Sequence, residues 1–145
     1  TDLAAFDTLV GSATVVGLGD GTHGTREFQR LRHRLSRRLV SSLGLTTVAV
    51  DAPASETEAL NVWVQGGSGD VPRLLSRLYE WNLNTQEFRD FVTWLRSWNV
   101  SAPPAQRVHL VGLDVLYPGA SMDSVSAFVH RVAPIFDADI AVWYQ

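Results

Sequence analysis

The stretch Thr14-Val15-Val16-Gly17-Leu18-Gly19-Asp20-Gly21-Thr22-His23-Gly24-Thr25 decides the fold. It opens as a short apolar, β-branched run, residues 14–18, which reads as a buried strand. It breaks into a glycine-rich turn over residues 19–24 and then delivers Thr25, a residue suited to N-cap a helix. Beyond it, Phe28, Leu31, Leu35, Leu39 and Leu43 recur at spacings of three or four, and Arg30, Arg34 and Arg38 form a second stripe. Gly44 stands where a left-handed C-cap is wanted. A strand, a glycine turn and an amphipathic helix in that order are the start of an α/β alternation.

The alternation continues. Residues 46–50 read as a second strand that ends at Asp51 and is closed by Pro53. Residues 55–65 read as a helix with Leu60, Trp63 and Val64 apolar. Gly66-Gly67-Ser68-Gly69 is a flexible loop, too short for a domain linker. A short helix is expected over 71–79, and a longer one over 85–98 carries Phe88, Phe91, Val92, Leu95 and Trp98. Val108–Leu113 reads as a third strand, again ending in an acid, Asp114, and residues 121–132 as a last helix. Residues 136–145 favour no element. The expected fold is α/β and three-layered, with a small, mostly parallel sheet of about three strands flanked by helices. Such a sheet falls below the usual four to six strands. Residues 1–145 are therefore expected to be one domain that is the N-terminal part of a larger fold. The opening Thr1-Asp2-Leu3, with neither Met nor a basic leader, points the same way.

Composition narrows the chemistry. With 46% hydrophobic and 19% charged residues, the 145-residue chain has a globular make-up. Its net charge of −3 gives no general attraction to nucleic acid or an anionic membrane. No apolar run approaches the ~20 residues of a membrane-spanning helix. The absence of Cys excludes disulfides, thiolate metal sites and thiol catalysis, and it suits a cytoplasmic location. All twelve basic residues are Arg, which reads first as codon bias.

In open parallel sheets, sites form beyond the carboxyl ends of the strands. Here the first strand runs into Asp20 and His23, the second into Asp51 and the third into Asp114. If the strands are parallel, three carboxylates and an imidazole share one rim, where charges need partners or a task. The bland alternative is that the acids cap the following helices and His23 is idle. The spacing Gly19-x-Gly21-x-x-Gly24 also matches a dinucleotide fingerprint. A carboxylate inside the turn would repel phosphate, however, and the acid ending the second strand lies about 30 residues on rather than ~20. Of the other histidines, His33 is expected to be solvated, His109 to be a core residue, and His130 to sit at a helix C-terminus. Trp63, Trp81 and Trp98 are mostly core by spacing, with an apolar cleft as the alternative. Asn99-Val100-Ser101 fits a glycosylation sequon, a pattern common by chance.

Val15 to Phe28, read whole, resembles the opening motif of the erythromycin esterase family, a strand followed by G-E-x-x-H-G and a short step to E-F. Arg30 falls where that family has an Arg on the first helix. Val48-Ala49-Val50-Asp51 resembles its second strand, Leu60-Asn61-Val62-Trp63-Val64 its L-N-x-[YW]-V helix, Trp94-Leu95-Arg96-Ser97-Trp98-Asn99 its W-L-R-x-x-N segment, and Val111-Gly112-Leu113-Asp114 its G-x-D strand end. The resemblance runs in order over residues 8–135. Two departures stand out: Asp20 replaces the usual Glu, and Asp51 also stands where Glu is common, each shortening the side chain by one methylene.

The resemblance implies hydrolysis of an ester or macrolide lactone by water activated at a histidine, without a covalent intermediate. The absence of Cys and of a G-x-S-x-G elbow agrees. On this reading His23, Asp20, Asp51 and Arg30 are catalytic, and Glu27, Asp114, Asn61 and Trp63 bind substrate. The partner is a small molecule, and neither a metal nor another cofactor is needed. Arg30 is expected to meet a carboxylate or the developing oxyanion, or simply to pair with Glu27 on the surface. Family members are longer, and the resemblance places a further catalytic His and acid in the part beyond Gln145, so half a site is expected here. Two alternatives stay open. One is a metal- or haem-binding module in which Asp20, His23, Asp51 and Asp114 hold an ion; the other is a catalytically incomplete segment that only packs or binds.

Overall fold

Two short strands with a run of helices between them form the frame. The structure is a computed structural model that describes residues 2–115 and 117–144. Strand β1 (Thr47–Pro53) and strand β2 (His109–Asp114) pair in parallel, from Thr47 opposite His109 to Pro53 opposite Asp114, with one irregularity between Val50 and Pro53. The helices are α1 (Ala4–Val10), α2 (Arg26–Leu43), α3 (Ala54–Val64), α4 (Val71–Ser76), α5 (Gln86–Ser101), α6 (Gly119–Val132) and α7 (Asp137–Trp143). Short 3₁₀ turns cover Pro104–Gln106 and Pro134–Phe136. The segment that favoured no element in the sequence thus holds a turn and α7. Among the described residues no helix is long and apolar enough to cross a membrane.

The α/β alternation is present, with one difference. Residues 14–18 are not a paired strand: Val15 is 85% exposed and β1 and β2 are the only strands among the described residues. A five-residue run interrupted by Gly17 forms a weak ladder. It lies instead along an apolar groove of about 440 Å³, with Phe6, Leu9 and Val10 on one side and Phe28, Leu31 and Leu35 of α2 on the other.

The core lies between α3, α5 and the sheet, where Leu60, Val64, Val92, Leu95, Val108 and Leu110 are fully buried. Alternate strand residues divide as the pleat requires. Ala52 and Leu110 are buried and Val48 and Val50 are half-buried, while Thr47, Ala49, Asp51, His109, Val111 and Leu113 are exposed. His109 is therefore a solvent-facing strand residue, not the core histidine its apolar neighbours suggest. Helix α3 packs on both strands closely enough to need Gly112. A Cβ there would lie 2.5 Å from the Ala52 carbonyl oxygen and 2.6 Å from Thr57 Oγ1.

Helix ends follow local chemistry. Gly44 takes the left-handed conformation, with φ 74°, and Leu45 N–H donates back to the Leu39 carbonyl at 3.0 Å. Thr85 caps α5 by accepting from Phe88 N–H at 3.2 Å. Thr25 precedes α2 as expected, but its hydroxyl bonds to Thr22 Oγ1 and leaves the helix N–H groups alone.

Candidate active site

The glycine turn folds back on the helix it introduces. Asp20 is the hinge of this arrangement. Its carboxylate is only 7% exposed, with Oδ1 lying 3.1 Å from His23 Nδ1 and Oδ2 accepting from Arg32 Nη2 at 3.1 Å. A carboxylate so buried needs such partners. His23 itself is 72% exposed. With Nδ1 turned to Asp20, Nε2 is the ring nitrogen left for a ligand.

A second wall comes from the turn between α4 and α5. The Trp81 ring covers Gly24, which has φ +74°; a Cβ at Gly24 would meet the ring at 2.5 Å. The buried Gln29 donates to the Asn82 carbonyl at 2.9 Å, and Arg26 Nε donates to Glu87 Oε1 at 2.9 Å. These contacts tie the His23 loop and the start of α2 to the start of α5. Tyr79, in the same turn, holds φ 58°, a conformation costly for a bulky side chain, and its ring lies 4.9 Å from that of Tyr117. One turn therefore touches both the His23 loop and the loop after β2.

The remaining sequence candidates fall into separate groups. Asp51 and Asp114 stand at the same, carboxyl end of the sheet. Asp51 is exposed, and Asp114 Oδ1 accepts from its neighbour Val115 N–H at 2.6 Å. Among the described residues no three His, Asp or Glu side chains gather as a metal-holding set. Arg30 is exposed on the far side of α2 and takes no carboxylate. The expected pairing with Glu27 does not form, and the carboxylate contact expected of Arg30 belongs to Arg32. Helical geometry separates the two, since a two-residue step turns the side chain by about 200°.

Asn61 and Trp63 are held by the scaffold. Asn61 is 7% exposed, and its Oδ1 accepts from Leu110 N–H at 3.0 Å and from Gln65 Nε2 at 3.3 Å. The Trp63 ring is half-buried beneath the Arg96 guanidinium, 4.7 Å from the ring centroid. His33 is not solvated. It packs edge-on to Phe91 at 5.3 Å and beside Trp94 at 5.9 Å, and burial, then the Arg37 charge, holds its pKa below 6.5. His130 lies near the end of α6, with Nδ1 2.8 Å from Asp137 Oδ2.

Sequence reading missed Arg32, the Trp81 lid on Gly24 and the ion pair of the buried Glu56 with the half-exposed Arg77, in which Arg77 Nε lies 3.1 Å from Glu56 Oε2.

The family model for erythromycin esterase matches residues 40–145, most of the chain. The chain belongs to the erythromycin esterase family. The match begins after the His23 loop. A further relative, the Escherichia coli erythromycin esterase type II, is 30% identical over 131 residues, covering 89% of this chain and 30% of its own length. Two crystal structures are similar throughout. A succinoglycan biosynthesis protein matches with TM-score 0.77 and 28% identity, covering 94% of this chain and 34% of its own. A Bacillus cereus protein matches with TM-score 0.77 and 26% identity, covering 93% and 32%. The chain thus spans about a third of the length of each of these three proteins.

Proposed function

We propose that the chain forms the N-terminal part of a hydrolase that cleaves a carboxylic ester, with a macrolide lactone as the favoured substrate. The observation that carries this reading is the His23–Asp20–Arg32 relay. It is an exposed imidazole held through Nδ1 by a nearly buried carboxylate, which a guanidinium holds from its other side. Family membership and the name of the Escherichia coli relative support the substrate class.

In this reading His23 Nε2 takes a proton from water near neutral pH. The hydroxide oxygen forms a bond to the ester carbonyl carbon, and the tetrahedral intermediate expels the alkoxide, which receives the proton back from the imidazolium. An open-chain ester yields one carboxylic acid and one alcohol, and a lactone yields a single ring-opened hydroxy acid. Asp20 fixes the tautomer and stabilises the imidazolium, and Arg32 fixes Asp20. Asp51 and Asp114, at the strand ends, face the substrate together with Glu27. Half the proton-transfer machinery is assigned to the longer protein, so the 145-residue chain alone turns over little or no ester. Its lack of Cys suits work in the cytosol.

Stopped-flow hydrolysis of macrolides and simple esters by the full-length protein tests this. Ring opening of macrolides, with release of acid and alcohol from simple esters and no burst of the alcohol, supports water attack. A burst of alcohol overturns that mechanism, and no hydrolysis of any ester overturns the function.

A further inference from the structure

Helix α2 carries a second constellation, on the face turned away from Asp20. Arg26, Arg30, Arg32, Arg34, Arg37 and Arg38 are six of the chain's twelve Arg, and the helix has a single acid, Glu27. Four of the six have carboxylate partners: Glu87, Asp20, Asp2 and Asp7 respectively for Arg26, Arg32, Arg34 and Arg38. Among the described residues Arg30 and Arg37 have none. Together with His33 and Arg34 they line one depression of about 250 Å³. The spacing 30, 33, 34, 37 puts all four on one helical stripe.

We propose that Arg30, Arg34 and Arg37, around His33, form a binding site for a small phosphate-bearing anion. Five points support it. The depression is lined by three guanidinium groups and one imidazole, and guanidinium forks match the several oxygens of a phosphate. Arg37 is held in place over Trp94, 5.4 Å from the ring centroid, so its position does not depend on a ligand. The His33 Nε2 atom is buried with no hydrogen-bond partner, a polar atom awaiting one. Arg34 is engaged only by Asp2, whose side chain is 69% exposed, a weak contact that an anion can displace. The chain's net charge of −3 argues for a compact anion over a long polyanion. The site stands apart from the proposed hydrolytic relay and does not depend on it.

Calorimetric titration with inorganic phosphate, pyrophosphate and a simple phosphate monoester, at fixed ionic strength, tests the proposal. Saturable binding is expected, with pyrophosphate tightest. Arg30→Gln with Arg37→Gln should weaken it about tenfold or more, while Gln keeps helix propensity. Unchanged circular dichroism shows that the variant folds. The His33 ring resonances should move on binding and stay still in the variant. A parallel arm with phosphatidate vesicles distinguishes a lipid phosphate from a free one: co-sedimentation lost in the same variant assigns the lipid source. No saturable binding in either arm, or binding equal in the wild type and the variant, overturns the proposal.

Discussion

Asn99 and Val108 exchange a matched pair of hydrogen bonds. The Val108 N–H donates to Asn99 Oδ1 at 2.8 Å, and Asn99 Nδ2 donates to the Val108 carbonyl at 2.8 Å. The amide thus acts as a one-residue strand beside β2. Asn61 and Gln65 extend the edge by bonding Leu110 N–H and the Val108 carbonyl. Replacing Asn99, which is 1% exposed, by Leu leaves the Val108 N–H without its partner, while the Val108 carbonyl keeps the bond from Gln65 Nε2. The expected cost is about 1–3 kcal/mol, that of one unsatisfied buried group. Urea unfolding should show a lower midpoint with an unchanged slope.

This edge explains what the sequence hid. The long apolar stripes of α2 and α5, Gly44 at a helix end and the acids Asp51 and Asp114 at strand ends were legible because each rests on local periodicity or turn chemistry. Helix α3 was harder, since its inward face carries the polar Glu56, Thr57 and Asn61, and the partners of Glu56 and Asn61 lie far along the chain. The segment 14–18 has strand composition but packs along α2, a tertiary choice that composition does not encode. The His23–Asp20 contact spans three residues and was legible; the Arg32 contact depends on how the turn folds back on α2, and Arg30 looked equally suitable.

Gly24→Ala should destabilise the chain through two separable effects. The positive φ of 74° costs an L-residue about 1–2 kcal/mol. The added Cβ also strikes Trp81, whose ring is exposed and can move. A double-mutant cycle with Trp81→Ala should recover the contact part and leave the backbone part, measured by thermal unfolding.

His33 predicts a pH dependence near neutrality. Burial and the Arg37 charge lower its folded-state pKa below the unfolded 6.5, against an opposing pull from Asp90. The unfolded chain then binds more protons in the window just below pH 6.5, so stability rises with pH there. The contribution is full above pH 6.5 and is lost as pH falls toward the folded pKa. Asp2 and Asp7, lowered by Arg34 and Arg38, act in a separate window below 3.8. His33→Phe should flatten the slope near pH 6 in chemical unfolding and leave the acid window intact.

Arg32→Gln removes the charged donor on Asp20 Oδ2. In the full-length protein the expected loss of kcat/KM is about 10- to 100-fold, the worth of a charge-assisted hydrogen bond. Arg32→Lys should restore part of it. An equal loss in both variants would indicate that the fork geometry, not the charge, holds Asp20.

His23 carries the central claim, and one variant tests it most directly. His23→Ala in the full-length protein, with kinetics and thermal melting measured on the same sample, should lower kcat by about 10²–10⁴. The melting temperature should barely move, because the ring is 72% exposed in a glycine turn. A folded His23→Ala protein with near wild-type ester turnover would contradict the assignment of His23 as the general base.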